Sequence, residues 1–197
     1  MKSLEERVKN LEEKVIQIEK RNSVKINKTI GIGDTFELAG STWMVLDINE
    51  KGYYCLANGI KDMKFDEDSN DWKSSSLRKY LNGEYLEKIC DSVGSENIVS
   101  FERDLFSIDG RNDYGTCEDK VSLLTFDEYR KYREFIELNE YWWLLTPYGV
   151  KRDGYESSVA VVCPSGSIDF SLCISCLGVR PFCILKSNIF VSKKGDK

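Results

Sequence analysis

The chain has 197 residues, a net charge of −5, 41% hydrophobic and 12% aromatic residues, and no histidine. This length and apolar content suit one domain plus an appendage and exclude wholesale disorder. The acidic balance, with no basic patch interleaved with aromatics, excludes nucleic acid as a partner, and the missing imidazole excludes Ser-His-Asp and Cys-His nucleophiles, His-ligated zinc and imidazole bases.

Residues 1–22 hold a heptad. Met1, Val8 and Val15 fall at a, with Asn22 next in register, and Leu4, Leu11 and Ile18 fall at d. Arg7 and Glu12, then Lys14 and Glu19, occupy g and e with opposite signs. The apolar stripe is confined to a and d, narrower than the face of a helix folded onto its own domain. Residues 1–23 are therefore expected to form a parallel coiled coil. Arg7-Val8-Lys9-Asn10-Leu11-Glu12 is similar to the Arg-apolar-x-x-apolar-Glu motif of short trimeric coils, which favours a homotrimer over a dimer. Acids stand at Glu5 and Glu6 where a signal peptide needs an apolar run, and no stretch has the length and apolarity of a membrane span. The expectation is cytoplasmic synthesis without membrane insertion.

A polar linker, 24–29, leads to a domain over 30–190, and a polar tail follows over 191–197. Thr35 to Asp47 reads as strand, Gly-containing turn and strand; Lys51-Gly52 makes a further turn before Tyr53 to Ala57. This meander should bury Trp43. Residues 61–73 read as an acidic loop. Asp66 to Asp71 imitates the start of an EF-hand, but Asp71 stands where the turn needs Gly, and Leu77 where the bidentate Glu belongs. Ser74-Ser75-Ser76 caps a helix carrying Leu77, Tyr80 and Leu81, which Asn82-Gly83 interrupts before a second helical piece over Glu84 to Val93. Residues 100–120 read as a long loop. Thr125-Phe126-Asp127-Glu128 has capping-box form and opens a helix to about Leu138, with Tyr129, Tyr132 and Phe135 available for packing. From Trp142 onward, strand-like runs alternate with Gly and Pro turns. The order predicts an α+β domain with mainly antiparallel sheet and two helices.

Five motifs follow one another: Gly40-x-x-Trp43-x-Val45-Leu46-Asp47, Trp72 with Ser76-Leu77-Arg78-Lys79-Tyr80-Leu81-Asn82-Gly83, Lys120-Val121-Ser122-Leu123-Leu124, Trp142-Trp143-Leu144-Leu145-Thr146-Pro147, and Gly178-Val179-Arg180-Pro181. Together they resemble an uncharacterised bacterial and phage domain family over about residues 33–186. Leu145 departs from that family's usual Arg, and Tyr80 from its frequent Trp. Some members look like the variable proteins of diversity-generating retroelements, with a C-type-lectin-like fold and a hypervariable C-terminal segment. The resemblance implies an oligomeric receptor-binding or adhesion protein on a phage or prophage particle. Its partner would be a protein or glycan on a cell surface, alongside other virion proteins, and it would need no cofactor or metal. A structural decoration or assembly protein of the virion, and a surface-acting enzyme related to formylglycine-generating oxidases, are the competing readings.

The block between Tyr148 and Leu177 occupies the place of the variable segment. Tyr148, Tyr155 and Phe170 supply rigid contact area, and Ser157, Ser158 and Ser175 adaptable hydrogen bonds. Lys151, Arg152 and Glu156 supply charge, and Cys163, Asp169 and Leu172 complete the candidate contact set. The same block also reads as an ordinary hairpin, with Ser158 to Val162 a buried strand and Pro164 to Ser167 its turn. Trp142 and Trp143 are expected in the core, and Arg180 is expected to satisfy backbone carbonyls or a buried carboxylate. Cys173-Ile174-Ser175-Cys176 is a C-x-x-C without a second such motif, so zinc would need Cys163, Cys183 or a carboxylate as further ligands.

Overall fold

The structure is a computed structural model that describes residues 30–137 and 139–189. The heptad positions Leu4, Val8, Leu11, Val15 and Ile18 lie outside the described residues. The domain is α+β, and its sheets are antiparallel except for one parallel pairing.

Strand β1 (Thr35–Leu38) turns into β2 (Ser41–Asn49) through Ala39 and Gly40, both at positive φ, 51° and 77°. That is the two-residue turn whose twist matches paired strands. Strand β3 (Gly52–Ala57) follows. Gly52 has φ 139°, and a Cβ there would stand 2.2 Å from the Leu185 carbonyl oxygen, so only glycine fits. The C-terminal strand β13 (Phe182–Leu185) pairs with β3 and with two short strands, β5 (Ile98–Val99) and β8 (Val121–Ser122), giving a first sheet ordered β1-β2-β3-β13-β5. A second sheet has the order β11-β10-β9-β12-β4, from β11 (Ile168–Leu172), β10 (Ser158–Val162), β9 (Trp142–Pro147), β12 (Leu177–Gly178) and β4 (Asp62–Met63).

Successive residues of these strands enter two different cores. On β9, Trp143 and Leu145 join a cluster containing Trp43, Trp72, Leu77, Leu81 and Ile89, whereas Trp142 and Leu144 join Phe182, Tyr129, Tyr132 and Ile136. The period-2 alternation of a strand thus feeds both sides of the sheet layer. Because both sides are covered, β9 and β10 read as continuous apolar runs. All four tryptophans are fully buried.

The first core is roofed by a broken helix. It comprises α1 (Ser76–Tyr80), a π turn over Leu81–Tyr85, and α2 (Leu86–Val93). The interruption expected at Asn82-Gly83 is present, with Gly83 at non-helical φ −111°, ψ −109°. Ser75 caps α1 by accepting from the Arg78 amide. The second core is roofed by α3 (Phe126–Tyr132), whose capping box is formed by Thr125 and Glu128. This helix ends earlier than its sequence suggests: residues 133–135 tighten into a 3₁₀ turn and Phe135 is exposed. The expected loop over 100–120 is flanked by a strand pair. Strands β6 (Phe101–Asp104) and β7 (Thr116–Asp119) pair across it, and only 105–115 is loop.

Candidate functional site

Strands β10 and β11 form the hairpin that edges the second sheet. Its turn closes with Cys163 donating to the Ser167 carbonyl and Gly166 donating back to Cys163. The five residues of β10 are buried throughout, while β11 keeps Asp169, Phe170 and Leu172 exposed. The strand extends beyond the cover of the second core, so its outer apolar side chains meet solvent. Next to β11 lies the 148–157 segment. The Tyr148 ring packs on Phe170 at 4.6 Å between centroids and edge-on against Tyr155 at 5.6 Å. The three rings sequence reasoning grouped are therefore one cluster, with Tyr155 and Phe170 nearly half exposed.

What holds this segment is Asn70, a residue that no motif singles out. Asn70 is fully buried. Its Nδ2 lies 2.8 Å from each of three carbonyl oxygens, those of Gly149, Tyr155 and Ser158. Its Oδ1 accepts from the Tyr114 hydroxyl at 2.6 Å, and its main-chain N–H donates to the Glu156 carbonyl at 2.7 Å. Two amide protons are shared among three acceptors, so both ends of the loop are tied to one side chain. Burial first, and then the charge of Asp71, raise the Tyr114 phenol above its ordinary value, which keeps it a donor. Gly149 completes the fit, since a Cβ there would stand 2.9 Å from the Tyr155 Cβ.

Charged contacts join the loop to its neighbour, 105–115. Arg152 donates to Asp113 at 2.7 Å, and Arg111 lies 3.4 Å from Asp153. Lys151 and Glu156 are exposed, while Ser157 and Ser175 are half-buried. Two expected contact residues are placed differently. Ser158 and Cys163 are buried: Ser158 sends its carbonyl to Tyr148 and Asn70, and Cys163 closes the hairpin turn through its main chain. Ser175 bonds Ser171, hydroxyl to hydroxyl, at 3.0 Å, and Asp169 accepts from the Phe170 amide. Ile174, half exposed in the turn after β11, joins the surface without having been selected.

The motif residues elsewhere serve the frame. The buried Asp119 carboxylate accepts from Trp72 Nε1 and Arg78 Nε, each at 2.7 Å, and Asn82 bonds the main chain of Lys120 and Val121. Trp72, Arg78 and Asn82 are thereby explained by one acid 37 or more residues away. Arg180 donates to the carbonyls of Ala57 and Glu137 and to Asn58 Oδ1, and stacks on Trp142. It thus satisfies backbone carbonyls, as its place in a framework motif suggested.

A separate cleft of about 600 Å³ lies between β6 and α3. At its base Arg103 and Glu128 form a two-pronged pair, Nη1 to Oε1 at 2.7 Å and Nη2 to Oε2 at 2.5 Å. Burial would raise the Glu128 carboxyl, but the Arg103 charge and the Thr125 bonds hold it below its ordinary value. In the C-x-x-C, Cys173 is buried and Cys176 exposed. Burial pushes the Cys173 thiol upward, away from the thiolate that nucleophilic or redox chemistry uses. No group of His, Cys, Asp and Glu among the described residues is arranged to hold a metal. No helix among them is long and apolar enough to cross a membrane.

The family described as a domain of unknown function, DUF6273, matches residues 41–187. Neither the curated proteins nor the solved structures contain a match to the chain.

Proposed function

The chain belongs to the DUF6273 family, and from that premise we propose that it is an oligomeric ligand-binding protein, a phage or prophage receptor-binding or surface-display protein. In this reading the coil over 1–23 carries a homotrimer, the fold is C-type-lectin-like, and the surface from Tyr148 to Ser175 is the variable contact region of a diversity-generating retroelement. The observation that carries the proposal is the ring cluster in which half-buried Tyr148 supports exposed Tyr155 and Phe170, with Leu172 exposed on the same strand of an edge hairpin whose inner residues are all buried. Rigid aromatics with few rotatable bonds give contact area at low entropic cost. The Asn70 clasp fixes the loop before any ligand arrives, which lowers the cost of binding.

Two tests bear on it. Diversification requires a neighbouring reverse-transcriptase gene and a near-copy of the DNA for residues 140–185 that differs mainly at adenines. A genome without that template removes diversification and leaves a fixed binding role. Binding itself is read by incubating the labelled full chain with a panel of bacterial cells, with Tyr155→Ala/Phe170→Ser as the disabled partner. Cell binding carried equally by the double variant would overturn the assigned surface.

A further inference from the structure

The partner of this surface is a matter of main-chain hydrogen bonding and charge. Strand β11 ends its sheet, and hydrogen-bonded pairs alternate along an antiparallel ladder. Cys163 donates to Ser167 and Cys173 donates to Ser157, which gives 167, 169, 171 and 173 the inward-bonding register. The main chain of Ile168, Phe170 and Leu172 therefore points outward. Two of those outward groups are already occupied. The Phe170 N–H donates to Asp169 Oδ1 at 2.8 Å, and the Leu172 carbonyl accepts from the Ser175 N–H at 2.8 Å. An added strand would meet a capped donor at mid-edge, Phe170, and an engaged carbonyl at the strand's end, Leu172, as natural edge strands blunt such pairing. Recognition then falls mainly to side chains.

Those side chains are apolar at the centre. Tyr155, Phe170, Leu172 and Ile174 are 44–50% exposed, a grouping that scattered surface residues do not produce. The nearby hydroxyls are turned to each other: Ser171 to Ser175 at 3.0 Å, and Ser165 to Ser167 at 2.9 Å. These hydroxyls satisfy each other, so the polar groups left beside the rings are the charged ones. The rim is acidic. The Cys173 carbonyl accepts from both Phe65 and Asp66, the charges of Asp66 and Asp68 reach the Cys173 thiol, and Asp68, Glu156 and Asp169 are exposed. Nearby cations are mostly engaged, Lys64 by Glu67 and Arg152 by Asp113, which leaves Lys151.

We infer that this surface docks a folded protein partner whose contact patch is an apolar centre ringed by lysines and arginines. The inference rests on the binding-surface reading above and adds the chemistry of its partner. Charge complementarity of this kind steers association and is screened by salt.

The test uses the isotope-labelled full chain and amide chemical shifts. The probes are a synthetic Leu/Lys amphipathic helix peptide, its Leu/Glu counterpart and an N-acetylglucosamine oligosaccharide. The Leu/Lys peptide is expected to shift residues 148–175, with affinity lowered about tenfold by high salt and by Glu156→Lys/Asp169→Lys. The other two probes are expected to leave those amides in place. Equal shifts with the Leu/Glu peptide, or none with the Leu/Lys peptide, overturn the inference. Shifts there from the oligosaccharide alone overturn it too while leaving the binding-surface reading standing; that reading falls separately if Tyr155→Ala/Phe170→Ser leaves cell binding intact.

Discussion

At the scale of single residues, the frame rests on a few buried polar side chains, and they divide sharply in legibility. Arg180 was readable, because a cation between Gly-Val and Pro in an apolar run has to find carbonyls. Asn70 was not: it sits in an acidic stretch where nothing distinguishes it from its solvated neighbours, and its partners lie 44 to 88 residues away. Asn70→Ala removes the donor of the Gly149 carbonyl and one of two donors from each of the Tyr155 and Ser158 carbonyls, and is expected to cost about 1–3 kcal/mol. Chemical denaturation measures that loss, and hydrogen exchange should show faster opening confined to 148–158. Glu128 gives a pH signature. Its folded-state pKa is depressed below its ordinary 4.5, so its contribution is present above the unfolded value and is lost as pH falls through the folded one. Glu128→Gln is expected to be less stable near neutrality, where Arg103 loses its charged partner, and to show a shallower decline on acidification. Stability curves of the two proteins from pH 7 downward check this.

At the scale of elements, local signals worked wherever the chemistry was local. The Thr125 capping box, the Asn82-Gly83 break and the Pro164 to Ser167 turn are all present. Thr125→Ala is expected to cost about 1 kcal/mol, read as a lowered midpoint with unchanged slope in denaturant. The hairpin β6–β7 was missed for a physical reason. Its inward positions are Phe101 and Arg103, and a charged residue at a buried site breaks the apolar alternation that marks a strand. The distant Glu128, the Leu123 carbonyl and the Phe101 and Phe182 rings make that position tolerable. The helix after Thr125 was overextended because Phe135 continues the aromatic spacing, yet the turn tightens at Arg133 and turns Phe135 outward. Gly178 tests the framework strand. A Cβ there would stand 2.9 Å from the Tyr141 carbonyl oxygen, so Gly178→Ala is expected to destabilise by about 1–3 kcal/mol, visible as a lower thermal midpoint.

At the scale of the whole molecule, the sequence order of strands and helices was enough for the α+β class, but not for the two-sided core. Only the structure shows that Trp142 and Trp143, adjacent in sequence, enter different clusters. The candidate surface was legible in outline because aromatics and charges crowd between two rigid motifs. Ser158 follows the buried-strand reading of its segment, and Cys163 continues it into the hairpin turn, so neither offers its side chain as the contact-set reading expects. In our reading three copies on one stalk turn modest contacts into avidity. Deleting residues 1–23 is then expected to yield a monomer by light scattering, with weakened cell binding and an unchanged domain midpoint. The most direct measurement compares cell binding of the full chain with that of Tyr155→Ala/Phe170→Ser, after thermal unfolding has shown that both fold alike. The double variant is expected to lose at least about tenfold in affinity, as removal of aromatic anchors does elsewhere; equal binding by the two proteins would contradict a binding role for this surface.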